Sequence, residues 1–326
     1  MKIVVTGAAG FVGGNLCREL LRHDEFEVWG IDALTDYYTP EMKRLTVESL
    51  THPRFKFIHA DLATEPLSEI FNNAVAVFHQ AGQPGVRKSW GESFGTYTRQ
   101  NVDVTQRLLE ESKKTSTLKA FVYASSSSIY GNATRYPTSE TDLPKPLSPY
   151  GVTKLAAEHL VSLYSENFGI PATSLRYFTV YGPGQRPDMA FNKFIRAALQ
   201  SKEISIFGDG EQVREFTHVS DIVRANIAVL ESQPAPGTIV NLSGGSSITV
   251  NQTLNVLSSV LNTSLQINYG SKVPGDVQRT GGSTSEAKRL LDWSPSIEIE
   301  DGLQSQVAWM RNLPQSLLKS FDQGSR

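Results

Sequence analysis

The first thirteen residues narrow the possible fold more than any other part of the chain. A short apolar run, Ile3-Val4-Val5, leads into Thr6-Gly7-Ala8-Ala9-Gly10-Phe11-Val12-Gly13, after which a helical pattern runs to about His23. In a strand, turn and helix arrangement, glycines at this spacing have separate tasks. The first permits a tight turn, the second lets a pyrophosphate approach the backbone, and the third lets helix pack on strand; the helix N-terminus offers N–H groups to an anion. A glycine triplet alone is weak evidence. Asp32 strengthens it, standing 19 residues after Gly13 at the end of the second apolar run. A carboxylate there can accept hydrogen bonds from an adenosine ribose and repel the 2′-phosphate of NADP, so NAD is the expected cofactor.

Short β-rich runs alternate with helical patterns through the first half: Lys2 to Val5, Glu27 to Ile31, Phe55 to Ile58, Val75 to Phe78 and Phe121 to Ala124. Such alternation implies βαβ units and a parallel sheet. The runs are continuously apolar, as strands are when helices cover both faces, so a doubly wound α/β core is expected. A long helical stretch from Tyr150 to Phe168 and a strand near Thr173 to Arg176 follow. Beyond them the chain is richer in Gly, Pro and Ser, with a turn at Gly182 to Gly184. The expected division is a nucleotide domain over 1–178, joined again by segments near 215–243, and a smaller lobe over 179–326 that holds the substrate.

Composition excludes several classes. The chain has 326 residues, enough for about two domains, and 31 Lys plus Arg against 33 Asp plus Glu give a net charge of -2. No dense basic block would track a phosphate backbone, so nucleic-acid binding is not expected. No apolar run approaches the ~18 residues of a membrane span. The single cysteine, Cys17, cannot form an intramolecular disulfide, and six scattered histidines give no metal-ligand spacing, so no metal and a reducing cytoplasm are expected. His79 and His218 read as structural residues.

Tyr150 and Lys154 are four apart on a predicted helix and share one face. Chance alone gives roughly half a match to Tyr-x-x-x-Lys in a chain with this much Tyr and Lys, so context must decide. The context is Ser125-Ser126-Ser127-Ser128 at the carboxyl end of the fifth strand, where open α/β sheets bind ligands. A tyrosine acting as a base near neutral pH needs its pKa lowered by about 3 units, and a lysine ammonium and a positive nicotinamide ring are suitable sources of that field. Gly91-Glu92-Ser93-Phe94-Gly95 fits a hydrolase elbow by pattern, but no apolar strand precedes it.

Taken together, these residues resemble the extended short-chain dehydrogenase/reductases that modify nucleotide sugars, from Ile3 to about Trp309. The resemblance implies a Rossmann α/β fold with a smaller α/β C-terminal lobe. It assigns NAD binding to Gly7, Gly10, Phe11, Val12, Gly13, Asp32, Asp61, Leu62, Tyr150 and Lys154, and hydroxyl chemistry to Ser126, Tyr150 and Lys154. Ala124 to Gly131 and Arg176 to Pro183, continuing Gln185-Arg186-Pro187-Asp188-Met189, are similar to UDP-glucuronate 4-epimerases. So are Asp32 to Tyr38 and Gly85-Val86-Arg87. Dehydratases and decarboxylases of the family carry acidic residues where this chain has Ser127 and Ser128. A 4-epimerase acting on UDP-glucose or UDP-N-acetylglucosamine remains the alternative, as does a dehydratase or decarboxylase of the same fold.

For a uronic acid, transient oxidation at C4 creates a β-keto acid that readily loses CO2. An epimerase must therefore hold the carboxylate as a charged, hydrogen-bonded group, and Ser127, Ser128, Thr179 and Arg186 are the candidates. By resemblance, Arg214 and Arg279 face the UDP diphosphate, and two copies of the chain associate through the Tyr150 helix and the one before Glu111. Gln80 and Gly82 depart from the Leu and Ala common in the family's fourth-strand motif, and Gly282 from its Asp.

Overall fold

The computed structural model describes residues 1–244, 247–271 and 277–323. In chain order the first half comprises β1 (Lys2–Thr6), α1 (Phe11–Leu20), β2 (Glu27–Asp32), α2 (Pro40–Glu48), β3 (Phe55–His59), α3 (Ser68–Phe71) and β4 (Ala74–His79). It continues with α4 (Phe94–Tyr97), a π-helical stretch (Thr98–Asp103), α5 (Val104–Ser112), β5 (Ala120–Ser126), α6 (Pro149–Phe168) and β6 (Ala172–Tyr177). Then follow β7 (Thr179–Tyr181), α7 (Ala190–Leu199), β8 (Ile204–Phe207), β9 (Val213–His218), α8 (Val219–Ser232) and β10 (Thr238–Leu242). The described chain closes with β11 (Ser247–Thr249), α9 (Val250–Leu261), β12 (Ile267–Gly270), α10 (Ser285–Leu291), α11 (Ile299–Arg311) and α12 (Gln315–Gln323).

Seven strands form one parallel sheet in the order β10-β6-β5-β4-β1-β2-β3. This is the doubly wound topology that the apolar runs predict. Alternate side chains of each central strand enter opposite cores. Ile3, Val5, Ala76, Phe78 and Val122 pack with Leu16 of α1 and Ile222 of α8, whereas Val4, Val77, Phe121 and Tyr123 pack with Leu108 of α5 and Val161 of α6. Both faces being covered explains why these strands carry no polar alternation.

Strand order reverses between β1 and β4, whose parallel pairing sets Thr6 opposite His79. The crevice beyond those carboxyl ends is where such sheets bind ligands. Helix α1 stops at Leu20 rather than His23, because the N–H groups of Arg22 and His23 reach back only three residues, to the carbonyls of Glu19 and Leu20 at 3.0 and 3.2 Å. A third core, with Tyr181, Phe191, Ile195, Leu303, Val307 and Met310, joins α7, α9, α11 and α12 beside the crevice. Two small sheets, β11-β9-β7 and β12-β8, complete that side.

Candidate active site

A cavity of about 470 Å³ opens at the β1/β4 crevice and extends to the loops after β5 and β7. Gly7, Gly10, Phe11, Val12 and Gly13 line one end. Gly7 adopts φ +69°, a left-handed conformation that a Cβ disfavours. A Cβ on Gly13 would lie 2.1 Å from the Gly7 carbonyl oxygen, so the helix sits directly on the turn. Gly10 is the N-cap of α1 and makes no side-chain cap bond, which leaves the helix terminus to meet an anion through its backbone. This cradle fits a dinucleotide pyrophosphate.

Asp32 is oriented by two backbone donors, the N–H of Ala9 at 3.1 Å and of Leu34 at 2.8 Å. Its carboxylate thus ties the end of β2 to the glycine turn on the cavity wall. Asp61 and Leu62 line the same end; Asp61 accepts from the Ala63 N–H at 2.9 Å and from Arg99 at 3.3 Å. Mutual proximity of these groups suits the adenosine half of the cofactor.

At the opposite end stand Ser126, Tyr150 and Lys154. Helix α6 begins sharply: Ser148 caps it by accepting from the Gly151 N–H at 3.1 Å, and Pro149 occupies the first turn. That fixes Tyr150 one turn above Lys154. Burial pushes the Tyr150 hydroxyl above the ordinary phenol pKa, against the downward pull of Ser126 and of Arg186. Lys154 is 6 % exposed, with Nζ 4.6 Å from the centre of the Tyr123 ring. Burial lowers its pKa to about 7, with Glu158 pulling it back up.

Ser127, Ser128, Thr179 and Arg186 line the same cavity as Tyr150. Ser126 Oγ accepts from the Ser128 N–H at 3.1 Å, which turns the serine run into the cavity. Arg186 is held by Asp188 through Nε at 2.9 Å and Nη2 at 3.0 Å. Its guanidinium lies 5.9 Å from the Tyr37 ring centre. Although burial works against it, the Asp188 carboxylate keeps Arg186 firmly charged.

Arg214 and Arg279 are not in the lining. Arg214, on β9, donates to the carbonyls of Val213 and Gln278 at 2.8 and 3.3 Å. Arg279 is exposed, forms a backbone bridge with Val213, and stacks its guanidinium 5.1 Å from the Tyr136 ring centre. Pro274-Gly275-Asp276, just before it, lies outside the described residues.

Two residues around the cavity escaped the sequence reading, Asn101 in its lining and Tyr97 outside it. Asn101 in the π-helical stretch accepts from the Gln83 N–H at 2.7 Å and donates to Thr153 Oγ1 at 3.0 Å, joining the β4 loop to α6. Tyr97 donates to the carbonyls of Pro84 and Gly85 and meets Tyr150 edge-on at 6.3 Å. Their only signal was helical spacing from the glycine-rich loop after β4. Gln80, a departure from the family pattern, bonds Asn226 at 2.9 Å and Tyr177 at 3.1 Å. His79 bridges Thr6 and Thr105 at 2.9 and 3.0 Å, a structural role. Ser93 precedes α4 and bonds the Trp90 carbonyl, with no strand before it.

A family model described as the NAD dependent epimerase/dehydratase family matches residues 3–243. A Bacillus subtilis (strain 168) protein named "uncharacterized UDP-glucose epimerase YtcB" is 41% identical over 319 residues, 97% of this chain and 99% of its own. The UDP-glucuronate 4-epimerase of Thermodesulfobacterium geofontis (strain OPF15) is 38% identical over 313 residues, covering 94% and 95%. The Bacillus cereus UDP-glucuronic acid 4-epimerase, solved in complex with UDP-glucuronic acid and NAD, superposes with a TM-score of 0.92 at 42% identity, covering 95% of this chain and 99% of that one. The glycine cradle, the Asp32 carboxylate and the Ser126, Tyr150 and Lys154 cluster line one cavity, and the chain belongs to the NAD dependent epimerase/dehydratase family.

Proposed function

We propose that this protein interconverts UDP-glucuronate and UDP-galacturonate by NAD-dependent inversion at C4. The observation that carries this reading is Arg186, a guanidinium on the cavity wall whose charge reaches Tyr150. A partly buried cation in the same cavity as a tyrosine base suits a sugar that carries a carboxylate next to the reacting carbon. The B. cereus relative bound UDP-glucuronic acid with NAD, which supports the same class of substrate.

Tyr150 Oη takes the proton of the sugar 4-hydroxyl, with Ser126 sharing the hydrogen bond. Lys154 holds the nicotinamide ribose and favours the phenolate. The chemistry that NAD would supply when bound is reversible hydride acceptance at C4; the 4-keto sugar turns over within the cavity so that the hydride returns to its opposite face, and the centre inverts with no net redox change. Ser127, Ser128, Thr179 and Arg186 hold the uronate carboxylate in its charged form. Such contacts oppose decarboxylation, because the departing CO2 is neutral. We assign the UDP diphosphate to Arg214 and Arg279 by family resemblance alone.

Asp188 favours a second reading. It already compensates the Arg186 charge, so a sugar without a carboxylate, such as the glucose of UDP-glucose, would leave no unpaired cation in the cavity wall. Proton NMR of purified protein with each sugar separates the two. Conversion of UDP-glucuronate to UDP-galacturonate without pentose supports the uronate reading. Turnover of UDP-glucose alone, or release of a UDP-pentose, overturns it.

We further infer a cytoplasmic homodimer with no nucleic-acid or membrane partner. Helix α6 exposes Val152 (47%) and Leu163 (51%) on one face, and Trp90 and Phe94 are exposed at the start of the neighbouring helical run. Cys17 is buried and unpaired, consistent with a reducing compartment. No helix among the described residues is long and apolar enough to cross a membrane. Sedimentation at micromolar concentration tests the dimer; a monomer mass removes it. The division at residue 178, with return near 215–243, is our proposal for two lobes.

A further inference from the structure

Helix α6 carries Tyr150, Lys154 and Glu158 four residues apart, so all three lie along one stripe. The first two face the cavity, and Glu158 sits one turn deeper at 2 % exposure. Its carboxylate accepts three bonds there: Ser125 Oγ at 2.6 Å, Arg176 Nε at 3.0 Å and Arg176 Nη2 at 2.7 Å. Ser125 and Arg176 are register partners on β5 and β6, and Ser125 immediately precedes Ser126. One carboxylate therefore joins two strand ends to the helix that bears the tyrosine. Arg176, 3 % exposed, uses its remaining arm on Tyr130 Oη at 2.5 Å and the Glu140 carbonyl at 3.1 Å. A pair this deeply buried and fully bonded is not a generic stabiliser, because apolar replacement of such pairs is often neutral or favourable.

The surroundings of Lys154 show what this costly arrangement does. From β4, His79 faces it, and burial, then the Lys154 charge, lowers the His79 pKa to about 3, so the imidazole is neutral. From β5, Tyr123 presents its ring face, with burial holding its hydroxyl well above the usual phenol range. Asn101 approaches from the π-helical stretch by way of Gly82, and Tyr150 lies one turn back; both are uncharged in the resting protein. Glu158 supplies the negative charge that acts on the ammonium.

We propose that Glu158 is a positioning residue for the C4 oxidation: clamped by Arg176 and Ser125, it fixes the strand end carrying Ser126 against the helix carrying Tyr150 and Lys154, and gives the Lys154 ammonium its counter-charge. This rests on the catalytic assignment of Ser126, Tyr150 and Lys154.

Glu158→Gln keeps the shape and an acceptor for Ser125 but removes the charge. It also leaves Arg176 unpaired, so Glu158→Gln with Arg176→Gln serves as the second variant, in which no buried cation is stranded. Activity is measured from pH 6 to 10 on protein shown by circular dichroism and bound NAD to be folded and loaded. In either folded variant the alkaline limb of kcat is expected to move to lower pH by about a unit or more, with kcat at pH 8 down at least tenfold and KM within threefold. A merely structural role lowers the melting temperature and leaves the pH limbs where they were, and that result overturns the proposal. Should neither single nor double variant fold, Glu158→Asp, which keeps the charge but lengthens the gaps to Arg176 and Ser125, takes their place: kcat within twofold of the parent overturns the proposal, and kcat lowered at least fivefold with KM and the melting temperature unchanged supports it. Tyr150→Phe, run in parallel, guards the premise: if it keeps normal turnover, the catalytic assignment fails whatever Glu158 does.

Discussion

Asp188 engages Arg186 through two parallel hydrogen bonds, at 2.9 and 3.0 Å, so the guanidinium enters the cavity wall with its plane set and its charge compensated. An aspartate two residues from the arginine it orients makes a compact, rigid anchor. Arg186→Ala is expected to raise KM for UDP-glucuronate at least tenfold and that for UDP-glucose less than threefold. Steady-state assays with both sugars check this. Equal losses for the two would remove Arg186 from the carboxylate site.

Tyr150→Phe deletes one oxygen from a ring packed edge-on against Tyr97 at 6.3 Å, so folding and NAD binding should survive. Without the general base, kcat is expected to fall by about 10²–10⁴-fold. Coupled turnover assays beside a measurement of bound NAD check both halves, and an active, NAD-loaded variant contradicts the assignment.

Parts of this site were legible because local chemistry determines them. The glycine turn and Asp32 belong to one βαβ unit, and the strands announce themselves as apolar runs because both faces are buried. The π-helical stretch was not legible. Its register is supported by Asn101 bonds to Gln83 and Thr153, 18 and 52 residues away in sequence. Glu158 and Arg176 read as an ordinary helix residue and strand residue until tertiary packing joins them. Arg214 and Arg279, taken from family resemblance, lie beside each other near β9 and off the cavity lining, since backbone pairing of Val213 with Arg279 sets their place.

Asp32 is predicted to control cofactor choice. In Asp32→Ala, the Ala9 and Leu34 N–H groups lose their acceptor and the negative charge that opposes a 2′-phosphate disappears. Calorimetry with NAD and NADP should show weaker NAD binding and at least a tenfold drop in the preference for NAD. An unchanged preference places the ribose elsewhere.

His79 predicts a specific acid sensitivity. Burial, and next the Lys154 charge, lower its pKa from 6.5 to about 3 in the folded protein. Between those values the unfolded chain takes up a proton that the folded chain refuses. Stability is therefore complete above pH 6.5 and declines as the pH falls toward 3, by at most about 1.4 kcal/mol per pH unit from this group. Urea unfolding from pH 7 to 4 should show a shallower decline in His79→Gln than in the parent. Parallel declines would assign the acid sensitivity to carboxylates.

Strand β10 adds itself to β6 only after β7, α7, β8, β9 and α8 have intervened. A ribosome that has just released Tyr177 holds a sheet whose β6 edge has every outward backbone group unsatisfied, and that edge stays open until Leu242 emerges. During this interval the nascent chain is exposed to strand exchange with its neighbours. A gene cut just after Tyr177 would make that transient edge permanent, because the strand that covers β6 is encoded only beyond α8.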